Sequence, residues 1–337
     1  MRLYDVILER EKATVATFLA EHDLAYDDDV DDTIVAKHDG KLIATASSAG
    51  NVIKCVAVDP DHRGENLMAR LVGEMLKRLA NRDITHVFIY AAREHTAMFQ
   101  SLGFSLIVKT NRVALLETGG SIHARLHTIK QQAALDDTPK AAVVINANPM
   151  TNGHLHLIKT AAKHHDQTLV FVVSEEASTF PFALRYAIVN DVCASIPGVH
   201  VVESGEYLVS FATFPKYFLK TETLVREAHA LLDVLVFKHH YVPTFNIVAR
   251  YVGDEPFSPM TDAYNRTMKT HLGTMLHIIP RIAHEGQIVS ASHVRRLMKI
   301  DTLDAIKPYV PHATIKRLNT PSGKEAIDAL KRRDTRH

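Results

Sequence analysis

The chain has 337 residues, 46% of them apolar and 23% charged, with a formal net charge of +1, an ordinary globular composition with length for two or three domains, each with its own core. So small a net charge excludes a broad field drawing the chain to nucleic acid or an anionic membrane, and any partner must be recognised locally. Cys55 and Cys193 are too few for a disulfide framework or a four-thiolate metal site, no apolar run approaches the ~20 residues that span a bilayer, and the first residues lack a signal-peptide pattern, so a soluble, cytoplasmic protein is expected.

In chain order, residues 33–38 and 41–47 read as strands joined by Asp39-Gly40, a pair suited to a two-residue hairpin turn. Gly50-Asn51 turns into a third strand, 52–58, completing an antiparallel meander. Leu67, Leu71, Met75 and Leu79 then recur at helical spacing, ahead of a strand at 87–90. The acidic run 27–32 lacks the spacing and the turning glycine of a Ca²⁺ loop and reads as a solvated loop before the hairpin.

A strand, the turn Asp59-Pro60-Asp61-His62-Arg63-Gly64-Glu65-Asn66, a helix, a strand and then Phe99-Gln100-Ser101-Leu102-Gly103-Phe104 resemble, in that order, the acyl-CoA-dependent N-acetyltransferase family. The resemblance implies an α+β domain whose turn wraps a CoA pyrophosphate in backbone N–H groups, with Arg63 and Gly64 as candidates for holding a CoA-derived arm. Asn66 and Met68 stand where that family prefers small residues. Asparagine tolerates a left-handed backbone, but Met68 brings bulk toward the phosphates, so a recognition cleft or a retained scaffold is expected rather than an independent acetyltransferase.

Thr118-Gly119-Gly120-Ser121 and Asp136-Asp137-Thr138-Pro139 are linker signals flanking a connecting helix at 122–135. The expected domains are therefore 1–120, a linker over 121–139, and 140–337. From residue 140 strands and helices alternate: strand 141–146, helix 155–164, strand 169–174, helix 184–195, strand 199–203. After a longer insertion the alternation resumes with a strand at 234–237, a helix near 245–251 and a strand at 275–281, and the last helical piece is 315–333 with a basic, solvated tail. Hydrophobic strands alternating with helices imply a parallel sheet covered on both faces, with its ligand site at the carboxyl ends of the strands. His164-His165 and His239-His240 show no metal-ligand spacing and read as surface or strand-end residues.

The chemistry concentrates where the β-branched run ending at Ile145 breaks at Asn148-Pro149 and passes Thr151-Asn152-Gly153-His154 before helical spacing resumes. A strand feeding a helix through such a corner offers free N–H groups and the positive end of the helix dipole to an anion. A second such start stands at Ser290-Ala291-Ser292-His293-Val294-Arg295, two hydroxyls capping a helix that carries an arginine. The corner resembles the H/T-x-G-H phosphate site of the nucleotidyltransferase superfamily, and the second element its I-S-x-S/T-x-x-R.

Three further stretches narrow the resemblance: Phe180-Pro181-Phe182 with Arg185-Tyr186; Ser204-Gly205 with Tyr207-Leu208-Val209-Ser210, then Thr213-Phe214-Pro215 and Lys220; and Tyr251-Val252-Gly253-Asp254-Glu255-Pro256 with Thr261, Tyr264, Asn265 and Met268. With an acetyltransferase-like domain in front, they are similar to the citrate (pro-3S)-lyase ligase family over nearly the whole chain. That resemblance implies an α/β protein: an N-terminal N-acetyltransferase-like α+β domain followed by a doubly wound parallel-sheet, Rossmann-like nucleotidyltransferase domain. It implies a ligase that activates acetate with ATP, releasing diphosphate, and then acetylates the thiol of a CoA-derived prosthetic group on the citrate lyase acyl-carrier subunit, releasing AMP. Carried over by motif, His154 and Thr151 hold the α- and β-phosphate oxygens and are the catalytic pair. Asn148, Gly153, Ser290, Ser292 and Arg295 bind ATP, and Arg185 and Lys220 are further candidates for phosphate or acetate. Mg²⁺ is expected on the nucleotide phosphates without a dedicated protein cage, and no nucleic acid or membrane partner is expected. Two other readings stay open, an adenylyltransferase of cofactor synthesis and an acetyl-CoA-dependent protein acetyltransferase.

Overall fold

The computed structural model describes residues 2–27, 29–62, 64, 66–174, 178–208, 217, 221–254, 259–300 and 302–332, with 259–263 described by backbone alone. Two compact units divide the chain, Met1–Ala124 with Phe214–Leu232, and Arg125–Thr213 with Asp233–His337.

The first unit contains β1 (Leu3–Asp5), α1 (Glu9–Glu21), β2 (Asp32–His38), β3 (Lys41–Ala49), β4 (Val52–Val58), α2 (Leu67–Ala80), β5 (Val87–Ala92), α3 (Thr96–Ser101), β6 (Ser105–Lys109) and β7 (Val113–Thr118). They form one seven-stranded sheet in the order β1-β2-β3-β4-β5-β7-β6. Asp39 and Gly40 both take positive φ, 49° and 78°, the backbone that a two-residue hairpin between twisted strands requires. The predicted helical stripe is α2: Leu67, Leu71, Val72, Met75 and Leu79 are buried against Ile34, Ala46, Ile53 and Ile89. β4 and β5 are parallel, joined by the α2 crossover, and hold register only at Val52 with Phe88 and Ile53 with Ile89; beyond that they part.

The acidic run corrects the expectation of a solvated loop. Lys54 on β4 is buried, and a desolvated ammonium demands counter-charges; Asp27 and Asp29 lie 2.8 and 2.6 Å from its Nζ. Asp31 accepts from Gly50 N at 2.9 Å and from the Ser48 hydroxyl at 3.2 Å, and Asp32 meets Arg78 at 3.3 Å. Asp28 lies outside the described residues.

In the rest of the chain come α4 (Ile122–Gln132), β8 (Lys140–Ile145), α5 (Asn152–His164), β9 (Thr168–Val172), α6 (Phe182–Cys193), β10 (Val199–Glu203), α7 (Glu222–Val236), α8 (Val242–Phe245), β11 (Ile247–Gly253), α9 (Pro259–Leu272), β12 (Leu276–Ile279), β13 (Ala283–His284), β14 (Gln287–Ile288), α10 (Ala291–Ile300), α11 (His312–Leu318) and α12 (Pro321–Arg332). The division into units falls within α4 and within α7. In the second unit five parallel strands run in the order β10-β9-β8-β11-β12. The chain steps outward from β8 to β10 and then returns to the other side of β8 as β11. Strand order therefore reverses between β8 and β11, and a crevice opens above their carboxyl ends.

Three elements differ from the sequence reading. Residues 234–237, expected as a strand, end α7 and enter a π-helical turn, Phe237–Tyr241. Leu232, Val234, Val236 and Phe237 are all buried, and a helix enclosed on several sides shows the same short apolar run as a strand. Residues 247–253, near which a helix was expected, form β11 at the centre of the sheet; Arg250 interrupts its apolar pattern. The terminal helix is two, separated at Thr320, because Pro321 lacks the N–H and is suited only to a first turn. His240, read as a surface residue, is buried in the π-helical turn. No helix among the described residues is long and apolar enough to cross a membrane.

Candidate active site

The corner after β8 is braced from below. Arg185 on α6 is fully buried, and its guanidinium donates to the carbonyls of Phe180, Asn146 and Val173 and to Asn146 Oδ1 at 2.7–2.9 Å. It ties the ends of β8 and β9 together rather than facing the crevice. Asn148 is likewise committed: its side-chain oxygen accepts from Phe180 N at 3.1 Å, and its carbonyl accepts from Arg295 Nη1 at 2.5 Å.

Thr151 is the N-cap of α5. Its hydroxyl is buried and takes the His154 N–H at 3.4 Å, while Thr151 N donates to His154 Nδ1 at 3.0 Å. An imidazole nitrogen that accepts a backbone N–H carries no proton, so the proton sits on Nε2. Thr151 thus sets the ring, and His154 is the donor. Enclosure by protein, then the nearby Arg281 cation, push the His154 pKa down to about 4. At neutral pH the imidazole is uncharged.

The second helix start is packed against the first. A Cβ on Gly153 would stand 3.0 Å from the carbonyl oxygen of Val289 and 3.4 Å from Thr151 Oγ1, so a side chain there would push the α5 start and the segment leading into α10 apart by a few tenths of an ångström. Ser290 Oγ accepts from His293 N at 3.2 Å, capping α10. Arg295 Nη2 donates to Ser292 Oγ at 3.2 Å; burial lowers its pKa, and among the described residues no carboxylate pairs with it. Asn152 N is taken by the carbonyl of Tyr309 at 2.8 Å, which leaves the Gly153, Ala291 and Ser292 N–H groups without partners among the described residues.

These groups border one cavity of about 490 Å³, lined among others by Asn146, Thr151, Gly153, His154, Ser290 and Ser292. Asn148, Arg295 and Arg185 are not on its lining but hold the residues that are. Sequence reasoning missed three lining residues. Arg281 follows β12 directly and donates through Nε to the Asp254 carbonyl at 2.6 Å; a cation at the carboxyl end of a parallel strand was the available signal. Arg250 lay on a strand read as helix, and Tyr264 stood in the stretch that carried the family resemblance without being assigned a role.

In the first unit, the parting of β4 and β5 opens a cleft of about 940 Å³ lined by Val56, Ala57, Gly64, Asn66, Met68 and Ala91. Asn66 is left-handed, φ 57°, as its residue type allows, and Gly64 has φ 97°. Met68 is on the lining, as expected. Tyr217 enters the same cleft, and its hydroxyl donates to the Tyr90 carbonyl at 2.6 Å. Arg63 and Lys220 lie outside the described residues.

Comparison with known proteins agrees with both halves. Residues 140–318 match the citrate lyase ligase C-terminal domain, and residues 3–104 match the acetyltransferase (GNAT) family. The chain is 35% identical over 335 residues to the citrate (pro-3S)-lyase ligase of Escherichia coli (strain K12), covering 97% of this chain and 95% of that protein. It is 33% identical over 315 residues to the ligase of the same name from Klebsiella pneumoniae, covering 90% and 91%. A phosphopantetheine adenylyltransferase of Sodalis glossinidius is 26% identical over 151 residues, 42% of this chain and 91% of that protein. Similarity of this extent, over both domains, means that the chain belongs to the citrate lyase ligase family.

Proposed function

We propose that this chain acetylates the thiol of the CoA-derived prosthetic group on the citrate lyase acyl-carrier subunit, using ATP and acetate, and so activates citrate lyase. The observation that supports the reading most is two helix starts opening on one cavity at the switch point of a parallel sheet, with a neutral imidazole donor on its lining.

In the first step an acetate oxygen bonds to the α-phosphorus as the bond to diphosphate breaks, giving acetyl-adenylate and diphosphate. Catalysis is positioning and charge stabilisation. His154 Nε2–H donates to an α- or β-phosphate oxygen, and the Gly153, Ala291 and Ser292 N–H groups take other non-bridging oxygens. Arg281, on the lining, offsets the charge of the outer phosphates, and Arg295 acts behind it by holding Ser292 and the Asn148 carbonyl. In the second step the carrier's thiolate attacks the acetyl carbonyl carbon, the acyl–oxygen bond breaks, and AMP leaves. Mg²⁺ fits here as a companion of the nucleotide: phosphate oxygens and waters would hold it, with the Ser290 and Ser292 oxygens on the cavity lining, and it would neutralise charge on the departing diphosphate. The cleft of the first unit would receive the pantetheine arm at Gly64 and the backbone that precedes α2.

Incubation with ATP, Mg²⁺, acetate and deacetylated citrate lyase should release AMP and restore lyase activity in parallel. Diphosphate exchange into ATP that depends on phosphopantetheine as the adenylyl acceptor, and not on acetate, would overturn the reading in favour of a cofactor adenylyltransferase. Reactivation by acetyl-CoA without ATP would overturn it in favour of an acetyltransferase.

A further inference from the structure

Arg250 stands on β11 beside the switch point, is 3% exposed, and lines the same cavity as His154. Its guanidinium lies 4.1 Å from the centre of the Phe237 ring, which fixes its plane. Nη2 donates to the Tyr264 hydroxyl at 3.3 Å, and that hydroxyl in turn donates to Asp233 Oδ2. The Nε and Nη1 atoms, which carry three of the five guanidinium N–H bonds, are buried and have no hydrogen-bond partner among the described residues. Buried donors of a cation left unmet are costly, and a fold retains them where a ligand completes the set.

We propose that Arg250, steadied by Tyr264, is the seat of the acid substrate's carboxylate. The inference rests on the adenylylation reading above and assigns that reaction its acid-binding residue. A carboxylate accepts two guanidinium N–H bonds at once along the end edge, one from the unmet Nη1 and one from the second hydrogen of Nη2, while Nε–H leaves the opposite side and is not part of that pair. The surroundings suit a short monocarboxylic acid rather than a polyphosphate: Val144, Leu208, Val252 and Met268 line the cavity with apolar surface, whereas the phosphate donors are on the α5 and α10 starts. Asp233 holds the tyrosine hydroxyl as an acceptor toward Arg250, so Tyr264 positions the guanidinium and repels a second anion from its far side. Each carboxylate oxygen keeps a lone pair beyond the one it gives to the guanidinium, and one of the two oxygens attacks the α-phosphorus.

The test is acetate-dependent exchange of diphosphate into ATP, measured in the full-length protein with acetate and ATP varied separately. Wild type must show the exchange; if it does not, the adenylylation reading itself fails. Given wild-type exchange, Arg250→Gln should raise the acetate KM by roughly 30-fold or more, the scale of losing a charge-assisted carboxylate contact, with the ATP KM within about twofold. Arg250→Lys should recover part of the acetate affinity. Tyr264→Phe, which keeps the ring and its volume, should raise the acetate KM by about threefold to tenfold and serves where the arginine variants fail to fold. An unchanged acetate KM in a folded variant, or a rise in the ATP KM instead, overturns the proposal, the latter by making Arg250 a phosphate ligand.

Discussion

Two clefts in this molecule are made by one device, parallel strands parting over a helix start, and they are equipped differently. In the first unit the space between β4 and β5 is bordered by alanines, valines, a left-handed turn and the rings of His22, His62 and His95, and two weak acids of this unit, a thiol and a phenol, are held away from reaction. The Cys55 thiol is pushed up to about 12 by burial, and the Tyr217 phenol, also raised by burial, is tied to the Tyr90 carbonyl. In the second unit the opening above β8 and β11 gathers two helix starts, a neutral histidine and two arginines, Arg250 and Arg281. One cleft has surface for holding an arm. The other has donors aimed where charge would develop. The difference teaches that a shared backbone geometry supplies the space, and that the residues capping the helix decide whether the space can do chemistry.

The sharpest way to break that contrast is to remove the brace under the reactive cavity. Replacing Arg185 by Leu strips donors from the carbonyls of Phe180, Asn146 and Val173 in a fully buried position, and a loss of about 3–5 kcal/mol in unfolding free energy is expected. Urea titration measures it. If the variant instead keeps wild-type stability and loses only ATP affinity, Arg185 is a phosphate ligand and not a clamp.

His154→Ala addresses the donor itself. Turnover in acetate-dependent exchange should fall by roughly 10²- to 10³-fold, the effect of losing one preorganised donor, with the far-ultraviolet circular dichroism unchanged. A folded variant at full activity would remove His154 from its role.

What could be read from sequence follows how local each feature is. The corner Thr151-Asn152-Gly153-His154 and the Ser290 cap are legible because helix-start chemistry is written within four residues, and their close meeting is eased by Gly153, whose missing Cβ spares a tight contact with the Val289 carbonyl. The N-terminal meander and the α2 stripe were equally legible, since both are periodic and bounded by turn residues. Arg250 was not, because its environment depends on which strand lies beside β8, and the run 247–253 carries a charge that broke its strand pattern. Residue type alone did not separate Arg185 from Arg281 as cations; only burial does, and burial is a property of the packed sheet. The acidic run 27–32 hid its purpose in the same way, its partner Lys54 being an ordinary lysine until β4 is buried.

The holding cleft can be tested without touching the chemistry. Gly64 has φ 97° and no neighbour where a Cβ would sit, so the obstacle to a side chain there is backbone strain. Gly64→Val should distort the turn at a cost of about 1–2 kcal/mol and raise the KM for the acyl-carrier substrate roughly tenfold, while acetate-dependent exchange stays at the wild-type rate. Equal losses in both assays would mean that the first unit is needed for the adenylylation step and that the division of labour is wrong.

The smallest effect is expected from pH in the neutral range, and its sign distinguishes a neutral donor from a cationic one. His154 has a folded pKa near 4, below the value of about 6.5 for an unfolded histidine. Between these values the unfolded chain binds more protons than the folded one, so this group's contribution to stability is full above about pH 6.5 and is lost as pH falls toward 4. Above pH 6.5 it adds no slope. Acetate-dependent exchange should therefore change by less than about twofold between pH 6.5 and 8, because the ring that meets the phosphates is uncharged throughout. Bound polyphosphate will raise the pKa, since negative oxygens favour the imidazolium, but from a starting value near 4 a shift of one or two units, about what a close opposite charge gives, still leaves the ring neutral at pH 7. A steep fall in the ATP KM from pH 8 to 6.5 that vanishes in His154→Gln would show a cationic histidine at work, and the cavity would then bind phosphate by charge where its geometry argues for a fixed N–H.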